Sequence, residues 1–541
     1  MKSIILRITL LVFITSLVSC SKPKSFSVIP KDTNMVTVID AYSLLKKADL
    51  GSLEDLKLIK KFNTELKNEN KKAAKIFKKI KKDPFITGVD FFKDIFVFYT
   101  EPDERVNFAV TTATLKNASK FTDFIQQTFT DLDLDNKIVL EGNHKYIKLD
   151  RSSYLAWDDN KLININALNH RSRKEILAEI TRLFTLGEVN QITTNEDFNQ
   201  FYKNKKDISV YLSSNALQEN RDFKQLEKMA NYDLKDNTVK LYLDFEDDAI
   251  NLQSNVALNK SLRKMMADYK IFDTDFNTDL LDFIPKKHLA TGSIAINPMA
   301  YYGFLKTQKD YQKVNEEVER AVNISTQKLF EALGGSVVYN WSDVQKQTIQ
   351  YKKYDYFSSS YTNASRKETV AIISLAFDIK NKETVAQLLA KAQQSEQITA
   401  KDNYYSFQFD NKFPAYFAFN DDMFLISNNE LTVNQFSHGK PPVENLNDTA
   451  LKSEMNDNYV FNTITLNTND YPSDLKNMFF FLSAEKTEGV FDVWNAFASS
   501  LDYTQTDNYK ANLAIKLKDG KGNSLNRLLR TVDGIYNAAM N

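Results

Sequence analysis

The sequence predicts an α+β fold made of two similar modules, each an antiparallel sheet covered by helices, related by internal duplication. Three observations predict it. Short runs alternate apolar and polar residues, as in Leu241, Leu243 and Phe245 against Tyr242, Asp244 and Glu246, the period of a strand with one wet face. Longer runs space apolar residues by three and four, the period of a helix packed on one side. A set of motifs in the first half recurs about 260 residues later.

The recurrence has three parts in the same order. Ile29-Pro30-Lys31 leads into the strand-like Val36-Thr37-Val38-Ile39-Asp40 and then Leu44-Leu45-Lys46, while Ile284-Pro285-Lys286 leads into Ile294-Ala295-Ile296-Asn297 and then Phe304-Leu305-Lys306. Leu115-Lys116-Asn117 enters a helical pattern through Phe121, Phe124 and Ile125, and Ile379-Lys380-Asn381 enters one through Val385, Leu388 and Leu389. Tyr154-Leu155-Ala156-Trp157-Asp158-Asp159-Asn160 mirrors Tyr416-Phe417-Ala418-Phe419-Asn420-Asp421-Asp422. Each of these last two segments sets Asp or Asn between alternating runs, a β-hairpin signature, because those side chains tolerate the backbone of a tight turn.

Strands are expected at 95–100, 106–115, 146–149, 208–212 and 239–245, and at 347–357, 370–379, 404–409, 459–466 and 511–517. Consecutive strands with short turns imply antiparallel pairing, and the interspersed helices must cover one face. The modules are placed at 28–270 and 271–541. No Pro- or Gly-rich linker lies between them, so they are expected to pack together.

At 541 residues the chain can build ample cores. Its 13 glycines and 10 prolines argue against long disordered stretches and against glycine-built phosphate loops. With 70 basic and 70 acidic side chains the net charge is zero, and it becomes −2 if Lys2 and Arg7 are removed with a leader. Such a body has no overall attraction for nucleic acid.

The N-terminus reads as an export signal. Lys2 and Arg7 precede an apolar run from Ile8 to Val18, too short to span a bilayer comfortably. It ends in Leu17-Val18-Ser19-Cys20, which resembles the lipobox of bacterial lipoproteins, where a small residue precedes the cysteine that receives diacylglycerol. Residues 1–19 are then the signal peptide, Cys20 the lipidation site and 20–27 the tether, anchoring the chain to a membrane. Cys20 is the sole cysteine, so no internal disulfide can form. The basic Ser21-Lys22-Pro23-Lys24-Ser25 replaces the acidic cluster common on surface-exposed lipoproteins of Bacteroidetes-type bacteria, which points to the periplasmic face of the outer membrane.

Leu56, Ile59, Phe62, Leu66, Ala73, Phe77 and Ile80 predict one long amphipathic helix, started at Ser52 and Asp55 and stopped by Asp83-Pro84. From Lys57 to Lys82 it carries eleven lysines against Glu65 and Glu69. A solvated face explains most such runs. The helix expected at 310–333 has Glu316, Glu317 and Glu319 instead, so the fold does not require the lysines. They are a candidate surface for anionic lipid or glycan, and no aromatics interleave with them as in nucleic-acid sites.

Nothing in the sequence forms a catalytic motif. His144, His170, His288 and His438 are scattered and read as surface or turn residues, and no helical metal pair occurs. Asp131-Leu132-Asp133-Leu134-Asp135 starts like a calcium loop, but Asn136 stands where the loop needs glycine. No metal or cofactor is expected. Asp519-Gly520-Lys521-Gly522-Asn523 lacks the phosphate-loop spacing and reads as a turn, with Asn523 or Ser524 capping the last helix. Tyr351, Tyr354, Tyr356, Phe357 and Tyr361 read as packed cross-strand pairs more readily than as a sugar-stacking platform. Asp448-Thr449-Ala450 resembles a short O-glycosylation acceptor, or Thr449 opens a helix.

The leader, the Ile-Pro motif, the strand ending in Asp40 and Gly88-Val89-Asp90-Phe91-Phe92-Lys93-Asp94-Ile95 together resemble a family of Bacteroidetes lipoproteins classed as a domain of unknown function. The resemblance covers most of the chain and implies no activity. The second half departs from the first at Asn297 for Asp40 and at Gly334-Gly335-Ser336 for Gly88-Val89-Asp90. The expected protein is a non-enzymatic envelope lipoprotein presenting a binding or scaffold surface to a protein, glycan or lipid. The alternative is an envelope polysaccharide or peptidoglycan hydrolase using paired carboxylates such as Asp158 and Asp159, which requires a deep pocket with two facing acids. A lipid carrier would require an apolar cavity.

Overall fold

The computed structural model describes residues 23–540, apart from 104–105, 169–171, 219–220, 231–232, 273–274, 395, 410–412 and 479–483. Two compact units divide it. One holds the described residues up to Ala216 together with Val239–Asp244, and the other holds those of Leu217–Thr238 and Phe245–Asn541.

In the first unit the strands are β1 (Met35–Ile39), β2 (Ile95–Asp103), β3 (Val106–Thr114), β4 (Val139–Glu141), β5 (His144–Lys148), β6 (Ser153–Trp157), β7 (Lys161–Ala167) and β8 (Ile208–Ser213). Most of β9 (Thr238–Phe245) belongs here as well. β1 pairs with β2 and β8, β2 with β3, β3 with β7, and β7, β6, β5 and β4 form a meander, all antiparallel. Alternation decides what is buried: Val36, Val38, Phe96, Phe98, Phe108, Val110, Ile163 and Ile165 point inward and are fully buried. The helix Arg173–Phe184 covers that face with Ile176, Ile180 and Leu183, at helical spacing. It starts where the sequence supplies a capping box, Ser172 and Glu175 each satisfying the other's backbone. The helix Ala118–Asp131, capped by Asn117, lays Phe121, Ile125 and Phe129 on a second cluster around Trp157 and Ile147.

In the second unit the strands are β10 (Ala249–Ala257), β11 (Ala290–Ala295), β12 (Leu333–Asp355), β13 (Ser360–Ile379), β14 (Thr399–Ala400), β15 (Tyr405–Phe409), β16 (Phe413–Phe419), β17 (Met423–Ser427), β18 (Val460–Thr465), β19 (Ala498–Gln505) and β20 (Lys510–Leu517). β11 pairs with β12 and β18, β12 with β13, and β13 with β17, which continues through β16, β15 and β14. β18, β19, β20 and β10 complete the series. Phe276, Leu280, Leu281 and Ile284 meet Val338, Ala418, Leu425, Val433 and Phe461 in its core.

The pairing corrects the fold class expected from sequence. The α+β composition holds, but two modules with separate sheets do not form: the described strands make one 20-stranded antiparallel sheet. β10 and β20 pair directly, from Ala249 opposite Lys516 to Asn255 opposite Lys510, so strands from either side of residue 270 lie side by side. The physical reason lies in the edges. A separate sheet leaves a row of unpaired N–H and C=O groups at each border, and edge-to-edge pairing satisfies them. Alternation specifies which face is buried; it carries no information on which edge meets which.

Two helices are also corrected. The expected helix from 56 to 80 breaks at Asn70 into Lys57–Glu69 and Lys71–Lys82. The Asn70 side chain accepts from the amides of Lys72 and Ala73, capping the second piece, and its extended backbone ends the first. The helix expected at 310–333 is two, Tyr311–Val322 and Thr326–Glu331, separated by Asn323 with a positive φ of 58°. Among the described residues no helix is long and apolar enough to cross a membrane.

Candidate functional site

One exposed feature of the second unit is an arm. Among the described residues β12 is flanked by β11 only as far as Trp341, and β13 by β17 only over Ser374–Asp378. From Asp343 opposite Ile372 to Asp355 opposite Ser360, these two strands pair with each other. At about 3.4 Å per residue this gives an arm of roughly 40 Å. It departs at a bulge between Trp341 and Asp343, where the indole N–H of Trp341 donates to the carbonyl of Asp343 at 2.9 Å. A bulge bends its strand and raises the local twist, which re-aims the residues beyond it.

The arm ends in aromatic rings. Tyr354 stands opposite Tyr361, ring centroids 5.1 Å apart, and also meets Tyr356 edge-on at 5.1 Å. Tyr356 is 86% exposed and Phe357 fully exposed. Asp355 holds the turn, accepting from the Phe357 amide at 2.9 Å and the Ser358 hydroxyl at 3.0 Å, and these bonds keep its carboxyl below the usual range. Arg366 lies over the Tyr351 ring at 5.2 Å. The cross-strand pairing read from sequence is present, with Tyr354 packed on Tyr361, but Tyr356, Phe357 and Tyr361 largely face water. Exposed rings of this kind, on an arm with no further described strand along its outer edges, make a surface suited to a partner.

In the first unit the helices Lys57–Glu69 and Lys71–Lys82 bury no residue. Phe62 and Phe77 hold them together edge to face at 5.3 Å, although both rings are more than a third exposed. Several lysines have partners: Lys61 with Glu65 at 3.8 Å, Lys72 with Asp133 at 2.5 Å and Lys81 with Glu54 at 3.2 Å.

Charges of both signs converge at one end of β1, β2, β8 and β9. The Lys205 ammonium bridges Asp40 at 2.7 Å and Asp94 at 2.9 Å, and the Tyr202 hydroxyl donates to Asp94. Lys47 bridges Asp207 at 2.6 Å and Asp244 at 2.8 Å, Lys206 adds a second contact to Asp244, and the Ser43 hydroxyl donates to Asp207 at 2.6 Å. Sequence reading missed this network, because its members are spread from residue 40 to residue 244. Burial alone would raise the Asp40 carboxyl, but the Lys205 hydrogen bond, the Ser43 amide and nearby ammonium charges hold it below the usual range. Burial would lower Lys205, and Asp40 with Asp94 holds it above the usual range instead. Burial pushes the Tyr202 hydroxyl far up. These shifts move the groups away from neutral pH, where a general acid or base has to work. The network is a clamp.

The remaining candidates fall into structural roles or outside the described residues. Cys20 and the leader at 1–19 lie outside them, as does His170. Asp158 and Asp159 line a polar recess of about 480 Å³. Asp158 accepts from the amides of Asn160 and Lys161 and pairs with the Lys161 ammonium at 2.9 Å, so it serves the β6–β7 turn. The two acids are adjacent on that turn, not a facing pair. Asp131 ends its helix and accepts from Gln127, and Asp133 takes a left-handed turn. No cluster of His, Cys, Asp or Glu able to hold a metal occurs among the described residues.

His288, half-buried, and His438, exposed at a helix end, are bonded to backbone carbonyls. His144, read as a surface or turn residue, directly follows the turn at Gly142 and Asn143 but is buried and stacked on Phe184 at 4.9 Å, and burial lowers its pKa. Asn523 caps the last helix by accepting from the Leu525 amide. Thr449 bonds the Leu446 carbonyl and the Leu451 amide at the start of a helix.

The chain is thus an α+β protein whose exposed surfaces are an aromatic-tipped arm and a lysine-rich helical pair. It belongs to the family defined as a domain of unknown function, DUF4836, whose model matches residues 26–525. No curated protein matches it. Among solved structures, one titled "Structure of crystal form I of TP0453" is 11% identical and covers 46% of this chain and 87% of that one, with a TM-score of 0.25. A likeness that slight has no bearing on function.

Proposed function

We propose that this protein is a lipid-anchored envelope lipoprotein of Bacteroidetes-type bacteria, held by Cys20 on the periplasmic face of the outer membrane, and that it works as a non-enzymatic binding scaffold. Residues 1–19 are the leader, and the tether is shorter than the 20–27 read from sequence, because Lys24–Val28 is a short helix whose Ser25, Phe26 and Val28 are buried in the first unit. The single observation that carries the scaffold reading is the arm, where Tyr356 and Phe357 stand in water at the end of a long strand pair. Large exposed aromatics cost solubility and are the side chains most often central to protein interfaces. The basic helical pair supplies a second surface, for anionic lipid or glycan.

Metabolic labelling with palmitate, followed by envelope fractionation, tests the anchoring. The wild type takes up label and partitions with membranes, and Cys20→Ser does neither. Labelling or membrane partition that persists in Cys20→Ser overturns the placement.

A further inference from the structure

The helix Tyr311–Val322 carries valines at 314, 318 and 322, a stripe at helical spacing, yet it buries none of its residues. The stripe borders a partly open cavity of about 530 Å³, walled by Leu305, Val314, Val318, Leu329, Phe330 and Leu333. Side chains from three helices and the first residue of β12 therefore converge on a void. Protein interiors close such gaps, because an unfilled apolar cavity forfeits contact on every wall. This one also falls within the range of about 300–1,000 Å³ typical of small-ligand sites.

Two polar features mark it further. Thr326, one of the lining residues, is buried, and its hydroxyl oxygen has no hydrogen-bond partner. Lys309 lies on the rim beside Asp310 and makes no ion pair among the described residues. An occupant with a hydrocarbon body and one acidic end matches the apolar walls and the Lys309 ammonium. The volume argues against a partner helix: at a diameter of about 10–12 Å and a pitch of 5.4 Å, one helical turn fills roughly 400–600 Å³, so the cavity would hold a single turn.

We propose that this cavity binds a single-chain anionic amphiphile, with its acyl chain against Val318, Leu329 and Phe330 and its head group beside Lys309. The carboxylate of a free fatty acid and the phosphate of a lysophospholipid share the required chemistry. This site does not depend on the anchoring of Cys20 or on the arm.

The test titrates the chain from residue 23 onward, which holds every described residue, with dansyl-undecanoic acid. Palmitate and lysophosphatidic acid then compete in separate arms. Saturable fluorescence enhancement is expected, and the better competitor names the source. Val318→Trp fills the cavity and should weaken binding at least tenfold, while Lys309→Ala should weaken it about threefold to tenfold. Circular dichroism checks that both variants fold, and Val314→Trp gives a second filling variant should Val318→Trp fail to. The proposal falls if the wild type shows no saturable binding, or if filling the cavity leaves binding unchanged. It also falls if sedimentation shows a dimer that Val318→Trp dissociates, since a second copy would then be the occupant.

Discussion

Lys205 holds its ammonium 2.9 Å from the carboxylate of Asp94, a side chain that is almost fully buried. The same nitrogen reaches Asp40 at 2.7 Å. One lysine thus ties the start of β2 to the end of β1, between which the lysine-rich helices are inserted.

Removing that lysine strands a buried charge. Lys205→Met should destabilise the protein by about 3 kcal/mol, because breaking one side of a buried pair leaves the other uncompensated. The double variant Lys205→Met with Asp94→Asn should recover part of the loss. Urea denaturation measures both, and a loss below about 1 kcal/mol for the single variant would show the pair to be a surface contact in energetic terms.

The clamp also sets two pH limits. Asp40 and Asp244 are held below the usual carboxylate range: burial opposes this, and lysine hydrogen bonds and charges outweigh it. Their contribution is present above the unfolded carboxylate pKa and is lost as pH falls through the lower folded one. Lys47 and Lys205 are held above the usual lysine range, so their contribution is present below the unfolded lysine pKa and is lost as pH rises through the higher folded one. The contribution of these four groups should therefore be constant between about pH 5 and pH 9 and fall on both sides, seen in the melting temperature once the slope due to His144 is subtracted. Lys205→Met should flatten the alkaline fall, and a wild-type optimum above pH 10 would contradict the assignment.

His144 adds a slope of its own near neutrality. Burial against Phe184 lowers its folded pKa, while the charges of Glu141 and Asp158 oppose the shift. The unfolded chain then binds more protons, so stability is present above about pH 6.5 and declines as the medium acidifies. Proton NMR should show a folded His144 titrating below the ordinary histidine range. His144→Gln should reduce the loss of stability between pH 7 and pH 5, and an unchanged loss assigns it to other groups.

Gly88 is the position least tolerant of a methyl group in the first unit. Its φ is +81°, and a Cβ there would fall 2.6 Å from the Asn117 carbonyl and 2.7 Å from the Phe121 amide, at the start of the helix that covers Trp157. Its own carbonyl accepts from the amides of Lys116 and Asn117. Gly88→Ala should cost about 3 kcal/mol from strain and displacement of that helix. Thermal unfolding checks it, and a shift of less than about 2 °C would mean that the helix slides freely.

The sequence was most legible where the physics is local. Strands such as β2, β3 and β20 arise from two-residue alternation, and helix starts from Asn117 and Asn523 as caps. The single sheet was not legible, because the pairing of β10 with β20 is a contact between residues more than 250 apart. The break at Asn70 was legible in principle, since Asn is a strong N-cap, but the apolar periodicity on either side masked it. The arm hid for another reason. Its aromatics have the pattern of packed strands, and only the absence of flanking strands beyond Trp341, among the described residues, leaves them in water. The apolar cavity was invisible because the valine stripe at 314, 318 and 322 reads as an ordinary packed helix face.

Photocrosslinking in intact envelopes tests the central claim most directly. Benzoylphenylalanine replaces Phe357 at the arm tip or, as a control, Val443, an equally exposed residue of the second unit. If the arm is the binding element, position 357 yields a discrete adduct with an envelope component and position 443 does not. Equal labelling at the two positions, or none at position 357, would contradict it.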